Sequence, residues 1–165
     1  MEKAKEKIGQ VDREFAQHFG RSYGGLIEAY RCDDAQYLFA AMGSAAGTSR
    51  VAVDRAREKG IPVGLVKVRA LRPFPAKELA RIAAGKKAIG ILDRNVSFGW
   101  NSGTLFMEAR SAFLAEGVNL PMINFVAGLG GCDIRLDQIE GCMERVVEAA
   151  RTGSTQEVHW VGMEP

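Results

Sequence analysis

Cysteine and histidine are few in this chain. Three cysteines, Cys32, Cys132 and Cys142, stand among 165 residues, and no two have CxxC spacing. That pattern argues against a zinc or iron–sulfur site within the chain, and free thiols fit a reducing, cytoplasmic setting. The two histidines, His18 and His159, have no Ser or Cys near them at a nucleophile position. The acids are too scattered to pair for general acid–base work. The sequence therefore assigns no catalytic residue, no metal ligand and no cofactor held by this chain itself. No apolar run approaches the roughly 20 residues of a membrane span. The stretch from Met1 to Lys7 is too charged for a secretory signal. Neither charge dominates: 22 basic and 20 acidic residues leave a net +2. A nucleic-acid partner needs basic residues clustered on one face. Here they alternate with acids, as in residues 54–59, the pattern of a solvated helix face.

What is present is a regular alternation of apolar strands and amphipathic helices. The length suits one domain with one core. Ile8, Val11, Phe15 and Phe19 recur at intervals of three and four, which predicts a helix over 2–18 ending at Gly20. We take residues 1–24 as this helix and a linker, and 25–165 as the domain proper. The helix stripe is expected to pack on the body of the domain or on a neighbouring domain. Leu26 to Tyr30 reads as an edge strand. Tyr37 to Met42 is a continuous apolar run, the mark of a strand buried on both faces. Further strands are predicted at 61–71, 87–93 and 121–126, and helices at about 43–59, 75–84, 103–116 and 134–151. Leu105, Phe106, Ala109, Phe113 and Leu114 are expected on one face of the fourth of these five helices. The tail adds an apolar patch, Val158 to Val161. Such alternation calls for right-handed crossovers and gives a three-layer α/β/α domain, with a mainly parallel sheet and an added N-terminal helix.

In such a sheet, ligands gather beyond the carboxyl ends of the strands. Four loops lie there. Gly43-Ser44 opens a helix; its free amides suit an anion, or Ser44 simply caps the helix. Arg72-Pro73-Phe74-Pro75 is a rigid connection. Phe74 is placed to pack, and Arg72 to pair with a carboxylate across an interface. Asp93-Arg94 ends a strand; an ion pair with a loop neighbour competes with contact to a partner or an anionic ligand. Phe98 and Trp100 follow in the same glycine-containing loop, where exposed aromatics favour an interface. Gly128-Leu129-Gly130-Gly131-Cys132-Asp133 carries two glycines of a dinucleotide fingerprint, but Asp133 takes the third position. A sharp turn with positive φ, and Asp133 capping the last helix, is the competing reading.

Taken in order, several segments resemble alpha subunits of pyruvate:ferredoxin-type 2-oxoacid oxidoreductases. They are Phe19-Gly20-Arg21-Ser22-Tyr23-Gly24, Met42-Gly43-Ser44 with Gly47-Thr48, and Arg57-Glu58-Lys59-Gly60-Ile61-Pro62. Arg69 to Pro75, Leu92-Asp93-Arg94 with Ser97-Phe98-Gly99, and Ala127 to Ile134 continue the match. Arg-Pro-Phe-Pro is also shared with transketolase-type C-terminal domains generally. The resemblance implies a transketolase C-terminal-like fold and a non-catalytic assembly domain. The whole enzyme would convert a 2-oxoacid and coenzyme A to acyl-CoA and carbon dioxide. Thiamine diphosphate, magnesium and iron–sulfur clusters would lie on other segments, and ferredoxin would accept the electrons. Implied partners are beta, gamma and delta type subunits, and a homo-oligomer. Two other functions stay open: the C-terminal domain of another thiamine diphosphate enzyme, of dehydrogenase beta-subunit or transketolase type, and a free-standing anion- or nucleotide-binding module.

Overall fold

A computed structural model describes residues 1–153 and 158–162. Six strands form one sheet: β1 (Ile27–Tyr30), β2 (Tyr37–Ala41), β3 (Val63–Val68), β4 (Ala88–Asp93), β5 (Met122–Ala127) and β6 (His159–Val161). Their spatial order is β1-β3-β2-β4-β5-β6. Only β1 runs antiparallel, pairing with β3 from Ile27↔Val68 to Tyr30↔Leu65. The other pairs are parallel, as expected for strands joined through helices. The helices are α1 (Glu2–Phe19), α2 (Ala45–Glu58), α3 (Ala76–Ala83), α4 (Thr104–Ala115) and α5 (Leu136–Thr152).

The apolar runs divide between two cores because successive strand residues face opposite ways. In β2, Phe39 and Ala41 face α2 and α5, whereas Leu38 and Ala40 face α3 and α4. In β4, Leu92 joins the first core; Ile89 and Ile91 join the second. Gly90 lies between Phe39 and Ile123 in register. A Cβ there would meet Phe125 at 2.8 Å and Phe39 at 3.2 Å, so its absence lets the two rings approach to 6.0 Å between centroids. Each such fully buried ring contributes on the order of 1.5–3 kcal/mol.

Three expectations need correction. The strand predicted over 61–71 spans only Val63–Val68. Leu114 is 85% exposed and does not share the buried face of α4. Nine residues separate it from Leu105, a rotation of about 180° at 3.6 residues per turn, so it points to water. Nor do all crossovers share one hand. α3 and α4 cover one face while the chain steps from β3 to β4 to β5. The step on to β6 continues in the same direction, yet α5 lies on the other face beside α2. α2 alone leaves β4 and β5 bare on that side, and Ile139, Met143 and Val146 of α5 cover them.

The tail patch also proved structural: His159 pairs with Phe125 as β6 extends the sheet. At the other end, Gly20 closes α1 with φ 68°. Asp12 holds the following segment, accepting from Ser22 Oγ at 2.6 Å and Tyr23 N at 3.0 Å. Yet no residue of α1 is buried. None of the helices is long and apolar enough to cross a membrane, among the described residues.

Candidate functional site

The strand order reverses between β2 and β4: the chain leaves β2 for β3 on one side, then returns past it to β4 on the other. The crevice of this topology lies beyond the carboxyl ends of those two strands. Gly43-Ser44 follows β2 and Asp93-Arg94 closes β4, so both lie beside the switch point. The 72–75 and 128–133 segments follow the neighbouring strands β3 and β5.

Asp93 is buried and, among the described residues, makes no ion pair with a loop neighbour, contrary to one reading of the sequence. Its carboxylate caps α4 instead. Oδ1 accepts from Leu105 N at 2.8 Å, and Oδ2 accepts from Phe106 N at 3.1 Å and Asn124 Nδ2 at 3.0 Å. Desolvation pushes the carboxyl above its ordinary range, and the three N–H donors oppose that rise. Asn124 is fully buried in β5 and donates also to Ile91 O, while its Oδ1 accepts from Gly103 N at 2.8 Å. Asn95 Oδ1 accepts from both Thr104 N and Thr104 Oγ1. The positive end of α4 is a natural anion seat. Here the chain's own carboxylate fills it.

The loop between Arg94 and Gly103 is braced by Ser97 N→Ser102 O at 2.9 Å and Trp100 N→Ser97 O at 2.9 Å. Phe98 projects from it with its side chain wholly exposed, and Trp100 is 65% exposed. Arg94 is exposed and lies across to the β5 loop: a Cβ on Gly128 would come within 3.0 Å of Arg94 Nε. Among the described residues Arg94 forms no ion pair. Gly128, Gly130 and Gly131 have φ of 68°, 63° and 84°, the turn conformation expected for glycine there. Asp133 does not cap α5; Arg135 is the cap residue, and Gln138 Oε1 accepts from its backbone N–H at 2.9 Å. Gln138 stands at the third helical position, where its side chain reaches back to the cap, and Asp133 lies two residues too early.

Gly43 is exposed with φ 61°, and Ser44 begins α2 without a side-chain cap bond. Its αR backbone already continues the helix, which carries its hydroxyl away from the free amides. Arg72 has its carboxylate inside the domain. Its Nη2 donates to Glu108 Oε1 of α4 at 2.5 Å, with both side chains partly exposed. The Arg72–Pro73 bond is cis, and Phe74 packs half-buried on the α3/α4 core. The start of α4 and its first turns thus gather Asp93, Asn95 and Arg72, while Gly43-Ser44 stands apart from them in the hydrogen bonds. The sequence reading missed Asn95, Gly103 and Asn124. One signal was available: Asn124 interrupts an apolar strand, and a buried amide needs partners.

The cysteines do not fit a cluster. Cys32 is buried in the α3/α4 core, Cys142 in the α2/α5 core, and Cys132 is exposed in the glycine loop. Among the described residues no three His, Cys, Asp or Glu come together as a metal site.

The family described as pyruvate:ferredoxin oxidoreductase core domain II matches residues 35–139. Pyruvate synthase subunit PorA of Methanosarcina barkeri is 38% identical over 163 residues, which covers 99% of this chain and 40% of that protein. Ketoisovalerate oxidoreductase subunit VorA of Pyrococcus abyssi is 42% identical over 160 residues, covering 96% of this chain and again 40% of the relative. The NADH-dependent phenylglyoxylate dehydrogenase subunit alpha of Aromatoleum evansii is 35% identical over 154 residues, 93% of this chain and 37% of that protein. This chain thus spans about two fifths of the length of these curated relatives. A 2-oxoglutarate:ferredoxin oxidoreductase structure from Magnetococcus marinus shares the fold, with TM-score 0.55 and 16% identity over 82% of this chain and 21% of that one. With a match across most of the strands and helices just described, the chain belongs to the pyruvate:ferredoxin oxidoreductase core domain II family.

Proposed function

We propose that this domain is an assembly part of a 2-oxoacid:ferredoxin oxidoreductase alpha subunit, and that its carboxyl-edge loops dock on other segments of that enzyme. The observation that carries the reading is the state of the switch point. The anion seat at α4 is closed by Asp93, while Phe98 and Trp100 stand out on a braced turn beside Arg94. The α4 end is thus closed, whereas the start of α2 on the same crevice has no side-chain cap. A docking edge presents rigid aromatics and a cation. Gly43, Ser44, Arg72, Phe74, Gly128, Gly130 and Gly131 shape the remainder of that edge.

On this reading the whole enzyme decarboxylates a 2-oxoacid oxidatively to acyl-CoA. Thiamine diphosphate, magnesium, iron–sulfur clusters and coenzyme A are held on other segments. Subunits of beta, gamma and delta type, further copies of this chain and ferredoxin are its partners, in the cytoplasm. The relatives' names cover pyruvate, ketoisovalerate and phenylglyoxylate, so the choice of oxoacid is assigned to segments outside this domain.

The test is co-purification with thiamine-enzyme subunits from the same cells. Phe98→Ser with Trp100→Ser should abolish the complex and leave the melting temperature unchanged, since neither side chain is buried. Failure of the unaltered chain to associate with any such subunit would sink the proposal. Calorimetry with coenzyme A, nucleotides and thiamine diphosphate separates the free-standing binding module; heat of binding to the isolated chain would favour that alternative.

A further inference from the structure

One face of α5 carries a row of polar side chains with no carboxylate among them. Arg135, Gln138, Cys142 and Arg145 are spaced by three, four and three, so they stand one above another along the helix. β6 lies beside that row. His159 pairs with Phe125 of β5, and the two rings stack at 5.5 Å. Between helix and strand is an open recess of about 500 Å³. Small-molecule sites run to roughly 300–1,000 Å³. Phe125 and Cys142 give the recess an apolar floor, and Arg135, Gln138, Arg145 and His159 give it a polar wall.

The donors of this wall are not used up within the chain. Arg145 forms no ion pair among the described residues. Its charge reaches His159, whose pKa is held below 6.5 by desolvation first and then by Arg145. Gln138 spends its Oε1 on the Arg135 N–H at 2.9 Å. Its Nε2 turns toward the end of β6, where a Cβ on Gly162 would meet it at 2.5 Å. Arg135 is held by Asp137 at 3.1 and 3.0 Å, with both side chains largely exposed. Of the other α5 acids, Glu140 faces Arg55 and Glu148 is held by Arg151. Neither they nor Glu144 lines the recess, and no Asp or Glu does so among the described residues. Gly141 lines it too. It sits inside α5 with an ordinary helical backbone, and a Cβ there would meet nothing within 4 Å. Glycine weakens a helix interior, and here neither backbone nor packing asks for it. What its missing side chain keeps open is the recess.

We infer that the recess between α5 and β6 binds a small oxyanion, a phosphate ester or a dicarboxylate, through Arg145, Gln138 Nε2 and His159, with Arg135 at the rim. The ligand supplies the negative charge that the wall lacks, and it clamps β6 onto α5. Guanidinium groups suit both oxyanion geometries, because their fork of N–H donors matches carboxylate and phosphate oxygens. The site is built from this chain alone and does not depend on the assembly reading.

The experiment titrates sulfate and oxalate, each at constant ionic strength, into the full 165-residue chain. Sulfate stands in for a phosphate ester and oxalate for a dicarboxylate, and both keep their charge from pH 5.5 to pH 7.5. The readout is the NMR titration of the His159 ring, with His18 on α1 as the reference. Sulfate raises melting temperatures of folded proteins generally, so melting serves only to confirm the fold. The bound anion should raise the His159 pKa by about one, the effect of an opposite charge beside the ring. Binding should therefore strengthen, by up to about tenfold, as pH falls from 7.5 to 5.5. Arg145→Gln should weaken it roughly tenfold, the loss usual for a hydrogen bond to a charged group. Gly141→Glu places a carboxylate one helical turn before Arg145, a favourable pairing. It should abolish binding while the melting temperature does not fall. A response to sulfate alone assigns a phosphate ester, and a response to oxalate alone a dicarboxylate. Heat from nucleotides or thiamine diphosphate that vanishes in Gly141→Glu belongs to this recess and not to the carboxyl-edge loops. A His159 titration that neither anion moves, or undiminished binding by Gly141→Glu, overturns the site and leaves the assembly reading standing.

Discussion

The carboxylate of Asp93 occupies the space that a side chain on Gly103 would fill: a Cβ on Gly103 would overlap Asp93 Cβ, Cγ and Oδ2. The residue before α4 is therefore glycine because the strand end reaches into the helix cap. Gly103→Ala must displace either the carboxylate or the start of the helix. Overpacking of this kind costs about 1–3 kcal/mol. Gly141 in α5 is the contrast, since a Cβ there meets nothing within 4 Å. Gly141→Ala should stabilise the protein by about 0.5–1 kcal/mol through helix propensity. Urea unfolding of both variants checks the pair; equal effects of one sign would contradict it.

The same carboxylate gives stability a pH dependence of unusual sign. Desolvation holds the folded pKa of Asp93 above its ordinary 3.8, against the pull of three N–H donors. The folded state then binds this proton more tightly than the unfolded chain does. Stability from this group falls as pH rises from 3.8 to the raised value, and is level above it. Asp93→Asn removes that slope and leaves one of the two helix amides without its acceptor. The variant should lose about 1–3 kcal/mol at neutral pH. Unfolding free energies across the acidic range, variant subtracted from wild type, report the slope.

Most of the layer plan was legible because it depends on local pattern. Phe39 and Leu38 alternate across β2, and Gly20 and Gly60 punctuate helices, all within a few residues. What the sequence hid depends on distance. Asp93 meets Leu105 and Asn124 across gaps of 12 and 31 residues, so no window could pair them. Arg72 found Glu108 across 36 residues, and read locally it was a free interface cation. β6 is three residues long, too short for periodicity to show, and is defined by its pairing to β5. Leu114 was misplaced for a local reason: apolar character was read without its angle around the helix.

Arg72 separates stability from association. Its bond to Glu108 joins two partly exposed side chains. Such pairs are worth about 0–1 kcal/mol. Arg72→Ala should therefore shift the unfolding midpoint only slightly, and weaken co-purification of partner subunits more. Calorimetric melting and capture, measured on one preparation, give both numbers. A large fall in melting temperature with capture unchanged would remove Arg72 from the docking edge.

The three thiols should differ sharply in reactivity. Cys132 is exposed in the glycine loop. Burial pushes the Cys142 thiol up to about 12, and Cys32 is raised too, first by desolvation. The thiolate is the reactive form, so both buried groups are inert in the folded protein. Iodoacetamide at pH 8 should label Cys132 alone, and all three once denaturant is added. Peptide mapping reads the sites. Labelling of Cys142 in the native protein at a rate comparable to Cys132 would show that α5 does not pack as described.

His159 ties the last strand to pH. Its ring stacks on Phe125 at 5.5 Å, and desolvation first, then the Arg145 charge, holds its pKa below 6.5. The unfolded chain binds this proton more readily than the fold does. Stability from the group is present above 6.5 and is lost as pH falls through the lowered folded value. Arg135 and Arg145 line the same recess beside Cys142 and Gln138, so a protonated ring would add a third cation there. β6 should therefore loosen before the rest of the sheet as the solution is acidified. Hydrogen exchange at pH 7 and at pH 5, corrected for intrinsic rates, should show a selective loss of protection at 159–161. His159→Gln should erase the difference, because its amide does not titrate. Retained protection in the wild type at the lower pH would refute the coupling.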